Sequence, residues 1–509
     1  MTRAWIDGED LLVQHPAGAE LKQVGARWNK GMNAWRMAAT EMNCLAVDEL
    51  SLPGIRVPRP ARPSGALADE RLYAYQRSAA YRLAHSKHGM ILIAPPGLGK
   101  TAVAIAAADE GVPGDQVVVV APASLLRTWE RQIERWAVVP GAVYRMEGKV
   151  DVEAATAARW IVVSWEKAVR EKDLWGRGWP LFILDESVLT KSRRSARYKA
   201  LKKMRNGIDR VWELSASPTT ITSADLWAQL NLVWPRAFPS FWRFAERYTV
   251  TEDNVWSGYK SVVAEKSGRD AVGDNSDLII VVTEDEGPDL PEYLFEPALD
   301  AALAGRQLTA YRTMEAAFIA DLGDGTQRVA KNEIGRLMDL ARIASYWDGQ
   351  SAKHDALLDV LPGYDPPYLV WTYWKEGARA LSERLRASGL DVWQVDGDTR
   401  TKERDAALDS FSVGKLEALV LSIGVGKFGH SFQPTRTIAY VDKTWNADDY
   451  FQSLHRVRRI GLGHRPVVLP VRAPGTVDEL MDDNIEGKLG VTAKVTRSDL
   501  ARLLRGLGR

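Results

Sequence analysis

The sequence predicts an α/β protein of two tandem domains, each a parallel sheet flanked by helices, with a small N-terminal α+β module and a helical insertion. Three observations lead there. Short, nearly continuous apolar runs alternate with helical patterns, and such runs suit strands buried on both faces. The alternation comes in two series separated by a stretch with helical spacing. A proline-rich seam at Val57–Ala66, VPRPARPSGA, sets off the start of the chain as a module of its own.

Size and composition agree with this reading. A chain of 509 residues suits about three domains of roughly 150 residues each. With 46% hydrophobic and 26% charged residues it can bury several cores, which excludes disordered, collagen-like and low-complexity classes. The net charge of +1 excludes coating nucleic acid by bulk charge, but leaves room for a local basic groove. The single cysteine, Cys44, can form neither an intramolecular disulfide nor a thiolate metal cage, so a reducing, cytoplasmic compartment is expected. No apolar run reaches the ~18 residues of a membrane helix, and the start lacks a signal-peptide pattern, so no membrane partner is expected.

The elements follow in order. Within residues 1–57, the accessory module, Gly25–Arg36 (GARWNKGMNAWR) reads as a short hairpin bringing Trp28 and Trp35 together. Those rings could form an aromatic mini-core or a nucleic-acid surface. Residues 58–70 are linker. The first α/β domain, 71–250, has strand patterns at Met90–Ala94, Val117–Ala121, Trp160–Val163, Leu181–Leu184 and Val211–Leu214. Residues 251–350 read as mostly helical. The second domain, 351–475, repeats the pattern at Tyr368–Trp371, Val392–Val395, Ala418–Leu421, Thr437–Val441 and Val467–Val471. A helical brace or tail fills 476–509.

Two motifs carry the chemistry. Ala94–Thr101, APPGLGKT, follows a buried-strand pattern and opens an alanine-rich helix, the setting of a phosphate-binding loop. Pro96, Gly97, Leu98, Gly99, Lys100, Thr101 and Ala102 would cradle phosphates with main-chain N–H groups and the helix N-terminus. Lys100 would reach the β- and γ-phosphates, and the Thr101 hydroxyl would ligate Mg²⁺. Leu181–Glu186, LFILDE, ends a strand in two carboxylates at the edge of a sheet where ligands bind. Asp185 would hold the Mg²⁺ and Glu186 would orient and deprotonate the attacking water.

Further segments fall in a recognisable order: Tyr75-Gln76, VVVVAPASLLRTWERQIERW at Val117–Trp136, VVSWE at Val162–Glu166, LSASP at Leu214–Pro218, LWAQLNLVWPRAFPSFWRFAERY at Leu226–Tyr248, SAKHDALLDVL at Ser351–Leu361, LSIGVGKFGHSF at Leu421–Phe432, QSLHRVRRIG at Gln452–Gly461 and GTVDEL at Gly475–Leu480. Over roughly residues 70 to 485 the chain resembles the superfamily 2 helicases, and among them the Swi/Snf family of DNA-translocating ATPases, whose two domains are RecA-like. The resemblance implies that Gln76 recognises adenine, that Ser215, Ser217 and Gly426 couple hydrolysis to domain movement, and that Gln452, Arg456 and Arg459 complete the site from the second domain. Ser124, Arg127, Lys427 and His430 lie in motifs that face the DNA track in that family. Two departures stand out. Ser187 and Val188 follow the Asp-Glu pair where the family has a small residue and histidine, and LSASP replaces the commoner LTGTP.

Lys191–Arg205, KSRRSARYKALKKMR, holds eight basic residues and no acid, with Lys191, Arg193 and Arg194 at its head. It reads either as a solubilising helix face or as a phosphate-contacting stripe. Several of the nineteen tryptophans, including Trp129, Trp136, Trp165, Trp227, Trp234 and Trp242, fall in motifs where bulky packing is expected, while Trp28 and Trp35 are the candidates for base stacking. The expectation is an ATP- and Mg²⁺-dependent DNA translocase or helicase acting in repair, replication or recombination, monomeric in its core and of a compact bacterial or phage type. Rival readings are a nucleic-acid-binding protein with a degenerate ATPase, an RNA-directed helicase and a metabolic P-loop kinase.

Overall fold

The computed structural model describes residues 3–7, 10–23, 26–29, 33–38, 67, 69–171, 175, 178–216, 222–253, 260–322, 331–426 and 431–486. They form two compact units, divided between Asp289 and Leu290.

The first unit opens with a four-stranded antiparallel sheet. Its strands are β1 (Arg3–Asp7), β2 (Asp10–Gln14), β3 (Arg27–Asn29) and β4 (Ala34–Ala38), in the order β1-β2-β4-β3, with helix α1 (Gly18–Gln23) between β2 and β3. Trp28 and Trp35 are cross-strand partners of the predicted hairpin, their rings edge to face with centroids 5.5 Å apart. A Cβ on Gly18 would come within 2.5 Å of the Trp35 ring, so only glycine lets α1 lie against that indole. The linker expected at 58–70 lies outside the described residues as far as residue 66.

The main sheet of this unit has seven strands, all parallel. Chain order brings α2 (Ala74–Ala84), β5 (Gly89–Ile93), α3 (Lys100–Gly111), β6 (Val117–Ala121), α4 (Leu126–Trp136), β7 (Val143–Met146), α5 (Val152–Ala157), β8 (Trp160–Ser164), α6 (Trp165–Arg170), β9 (Trp179–Asp185), α7 (Ala196–Met204), β10 (Ile208–Ser215), α8 (Leu226–Val233), α9 (Phe241–Tyr248), β11 (Thr249–Asp253), β12 (Lys260–Glu265) and β13 (Ile279–Val281). The sheet order is β13-β5-β10-β9-β6-β8-β7, and β11 and β12 form a separate antiparallel hairpin. Alternate strand residues serve opposite cores. Leu92, Val119, Ile183 and Leu214 pack with Ala104, Ile105 and Trp129 on one face; Ile91, Val120, Leu184 and Val211 pack with Leu226, Leu230 and Tyr248 on the other. Serine side chains start several helices by accepting from main-chain N–H groups: Ser164 for α6, Ser195 for α7 and Ser240 for α9.

All five strands predicted for the first domain are present, and two more join them. The stretch 251–350, expected to be mostly helical, is strand-bearing in its first half. The hairpin partner β12 lies there, and β13 completes the first sheet by pairing with β5. Ile279–Val281 is too short to declare a period; the free hydrogen-bonding edge of β5 makes it a strand.

The second unit contains β14 (Leu294–Phe295), β15 (Leu299–Asp300), α10 (Gly305–Leu322), α11 (Lys331–Ser345), α12 (Ala352–Val360), β16 (Tyr368–Thr372), α13 (Lys375–Ala387), β17 (Val392–Val395), α14 (Thr401–Ser412), β18 (Ala418–Ser422), α15 (Ile423–Gly426), β19 (Thr437–Tyr440), α16 (Ala447–Leu454), β20 (Val467–Arg472) and α17 (Val477–Ile485). Its parallel sheet runs β14-β20-β19-β16-β18-β17, with β15 also paired to β20. Helices α10, α11 and α17 share a core of Tyr311, Phe318, Leu340, Val477 and Leu480. Beneath it, Lys353 is 2% exposed. Its Nζ lies 2.6 Å from Asp478 Oδ2 and 3.8 Å from Asp442 Oδ1, and donates to the Val441 carbonyl at 3.1 Å. Burial alone would lower the lysine pKa, but these carboxylates hold it above its ordinary value. Of the tail expected at 476–509, α17 is described, and residues beyond 486 lie outside the described set.

Candidate active site

The loop between β5 and α3 is shaped by two glycines in the left-handed region, Gly97 at φ +91° and Gly99 at φ +78°. The Lys100 ammonium folds onto the loop, donating to the Ala94 carbonyl at 2.7 Å. The loop is also supported from below. Both Tyr75 Oη (2.9 Å) and Gln76 Nε2 (3.1 Å) donate to the Leu98 carbonyl, while Gln76 Oε1 accepts from the Tyr73 N–H. Gln76 is 3% exposed. Both ends of its amide thus serve the main chain of this site, and a Cβ on Gly99 would come within 2.4 Å of Gln76 Nε2. Pro96 and Thr101 are half-buried, and Leu98 and Ala102 are buried.

Asp185 ends β9 with its side chain buried. Oδ2 accepts from the Trp129 indole N–H at 2.8 Å, Oδ1 from the Glu186 N–H at 3.0 Å, and its main-chain carbonyl from the Trp165 indole at 3.1 Å. Burial and the adjacent Glu186 charge push the Asp185 carboxyl up to about 6, against the Trp129 hydrogen bond and the nearby Lys100 ammonium, which both lower it. Lys100 and Asp185 therefore share one electrostatic environment. Glu186 has φ +51° and ψ +50°, a left-handed conformation that costs a non-glycine residue about 1 kcal/mol or more. This kink turns the chain from β9 into the short helix at Ser187–Thr190.

A polar cluster lies under the kink. Ser187 is fully buried, and its hydroxyl donates to Gln229 Oε1 at 3.0 Å. Glu213 of β10 is 0% exposed; burial pushes its carboxyl up to about 8, opposed only in part by the Ser187 hydroxyl. Two residues further along, the Ser215 carbonyl accepts from the Ala94 N–H at 3.1 Å, so β10 also touches the start of the phosphate loop.

The remaining candidates are dispersed. Ser124 is half-buried and Arg127 exposed at the start of α4. Lys191 is half-buried and Arg194 exposed, while the Arg193 guanidinium sits 4.5 Å from the Phe241 ring centroid. The basic run is no uniform stripe. Arg205 turns inward to the carbonyls of Leu232 and Val233, and Arg197 pairs with Glu166 at 2.8 Å. Trp28 is 48% exposed and Trp35 half-buried. Ser217, Lys427 and His430 lie outside the described residues, and Gly426 ends α15. In the second unit Gln452 is half-buried on α16 and Arg456 is buried. Burial and the Arg456 charge both push the neighbouring Arg459 pKa down.

Trp129, Trp165, Tyr75, Ser187, Glu213 and Gln229 escaped the sequence reading as site residues. Only the polar edge of each indole hinted that Trp129 and Trp165 do more than fill space. A glutamate and a glutamine inside apolar runs, VWEL and LWAQL, were the signal for the buried cluster.

A glycine-bent loop and a buried Asp-Glu strand end on one parallel sheet, in a chain that builds a second parallel α/β unit, define the tandem-domain P-loop class of nucleotide-binding proteins. The SNF2-related domain model matches residues 29–266, and the helicase conserved C-terminal domain model matches residues 352–461. The chain therefore carries an SNF2-related domain followed by a helicase conserved C-terminal domain. Its relatives include the Xenopus tropicalis SWI/SNF-related matrix-associated actin-dependent regulator of chromatin subfamily A-like protein 1, 23% identical over 437 residues, covering 84% of this chain and 45% of the relative. Another is the DNA annealing helicase and endonuclease ZRANB3 of Bos taurus, 23% identical over 422 residues, covering 79% of this chain and 38% of the relative. The chain thus spans less than half the length of both. Among solved structures it is similar to the Sulfolobus solfataricus SWI2/SNF2 ATPase core in complex with dsDNA, with 18% identity, a TM-score of 0.38, and coverage of 85% of this chain and 96% of that one. Among the described residues, no helix is long and apolar enough to cross a membrane.

Proposed function

We propose that the chain is an ATP-driven DNA translocase of the Swi/Snf type. The observation that carries this reading is the Lys100 ammonium acting on a buried Asp185 whose neighbour, Glu186, is held in a left-handed kink. Lys100 and the loop amides bind the phosphates, and Glu186 accepts a proton from the water that attacks the γ-phosphorus as the bond to ADP breaks. The donors fit Mg²⁺: a threonine hydroxyl and an aspartate carboxylate are hard oxygen ligands, and a cation would relieve the burial and repulsion that hold Asp185 near 6. Thr101 and Asp185 would hold the ion, which would supply positive charge to offset the negative charge developing on the transferred phosphoryl group. Gln76 holds the loop at Leu98 and, as the resemblance implies, recognises adenine. Gln452, Arg456 and Arg459 serve hydrolysis from the second unit, with guanidinium charge stabilising the γ-phosphoryl group.

Duplex DNA is the proposed track, gripped at Ser124, Arg127, Lys191 and Arg194, with Arg193 set by its aromatic neighbours. The exposed Trp28 of the N-terminal sheet is suited to stack on unpaired bases at a branch. The working form is a monomer acting in bacterial or phage repair, replication or recombination. ATP turnover by the purified chain, measured alone and with duplex DNA, single-stranded DNA or RNA, tests this. Stimulation by duplex DNA is expected; no response to any nucleic acid overturns the motor, and full turnover by Lys100→Ala overturns the site.

A further inference from the structure

The segment leading into the second unit lies against the loop that carries Arg456 and Arg459. Tyr293 packs on the core under α16; its hydroxyl donates to the Leu454 carbonyl and accepts from the Arg458 N–H at 3.3 Å. The Arg458 guanidinium closes the contact from the other side. Its Nε donates to the Pro291 carbonyl at 3.1 Å and its Nη2 to the Leu290 carbonyl at 3.4 Å. Just beyond, Leu294 and Glu296 donate main-chain N–H bonds to Pro466 and Val468, which anchors the segment on the edge of β20. The far side of the arginine loop is fixed too, because the Arg456 carbonyl accepts from the Phe432 N–H at 2.8 Å.

Three neighbouring arginines therefore differ in their surroundings. Arg458 reaches back to main-chain carbonyls of 290–291. Arg456 and Arg459 are mounted on the backbone that Arg458 and Tyr293 hold, and Tyr293 lies near enough to Arg459 to offset part of the pKa depression that burial causes. A planar guanidinium bonded at two nitrogens resists rotation as well as translation, so a displacement of 290–296 is passed to the loop.

We propose that Arg458 and Tyr293 are positioning residues that fasten the entry segment of the second unit to the arginine loop and set where Arg456 and Arg459 stand during ATP hydrolysis. This rests on the proposed ATPase reading. Small misplacements of catalytic groups cost up to about a hundredfold in rate with little effect on ground-state binding. The test compares wild type, Arg458→Ala, Arg458→Lys and Tyr293→Phe for DNA-stimulated kcat, KM for ATP and thermal unfolding. Tyr293→Phe keeps the ring in the core and removes only the hydroxyl. The expected result is a kcat reduced about tenfold or more in Arg458→Ala and Tyr293→Phe, with KM within about twofold and an unchanged Tm for Tyr293→Phe, and partial recovery in Arg458→Lys. Wild-type kcat in both Arg458→Ala and Tyr293→Phe overturns the proposal. So does a rate loss in Tyr293→Phe that only tracks a fall in Tm. A wild-type chain without ATPase activity instead overturns the functional reading itself.

Discussion

The Trp129 indole N–H and Asp185 Oδ2 are 2.8 Å apart, across 56 positions of sequence, in a buried setting. The hydrogen bond favours the ionised carboxylate against burial and the Glu186 charge, which hold Asp185 near 6. Trp129→Phe keeps an aromatic ring, smaller than the indole, and removes the donor, so the Asp185 pKa rises. The acid limb of the pH–kcat/KM profile should then move to higher pH by about one unit, the equivalent of one charge-stabilising hydrogen bond. A profile that superposes on wild type would show that Trp129 only packs.

Glu213 makes stability depend on pH with a definite sign. Its carboxyl is protonated in the folded state up to about 8, whereas an unfolded glutamate ionises near 4.5. Between those values the unfolded chain binds fewer protons, so this group's contribution falls as pH rises through the window and is fully present only below about 4.5. Glu213→Gln keeps the volume and cannot ionise. Its Tm relative to wild type should therefore improve steadily from pH 5 to pH 8, as followed by thermal unfolding; parallel curves would contradict a neutral buried carboxyl.

Lys353 is the cation of a buried set with Asp478 and Asp442. Lys353→Ala strands two carboxylates in the core, and breaking such a set from one side costs about 3–5 kcal/mol. Denaturant unfolding should show an earlier transition for the second unit. Lys353→Ala with Asp478→Asn should recover part of the loss, because less charge is then left buried.

Gly99→Ala should weaken ATP binding, since φ +78° disfavours any side chain and the new methyl would meet Gln76 Nε2 at 2.4 Å. A fluorescent ATP analogue should therefore bind Gly99→Ala less tightly than wild type; wild-type affinity would mean that the loop tolerates a side chain at this position.

Much of the architecture was legible because its signals are local. Parallel strands buried on both faces read as VVVVA or LFIL, and the phosphate loop is a contiguous string whose glycines and lysine announce their conformational and charge roles. The hairpin joining Trp28 to Trp35 was legible for the same reason. Strand β13 was not, since three apolar residues become a strand only when an open sheet edge is beside them. Composition could not separate the roles within Lys191–Arg205: Arg205 turns inward to main-chain carbonyls, while Arg194 stays on the surface.

The sequence by itself determined the two parallel α/β units, the phosphate loop and the Asp-Glu strand end, because periodicity and short-range spacing encode them. Tertiary structure alone decided that Trp129 and Trp165 hold Asp185, that Ser187, Glu213 and Gln229 meet beneath the Glu186 kink, and that Tyr293 and Arg458 lock the entry segment onto the arginine loop. Each of these depends on which polar atoms, distant along the chain, lose water together. That pairing is set by how sheets and helices stack and leaves no period in the sequence.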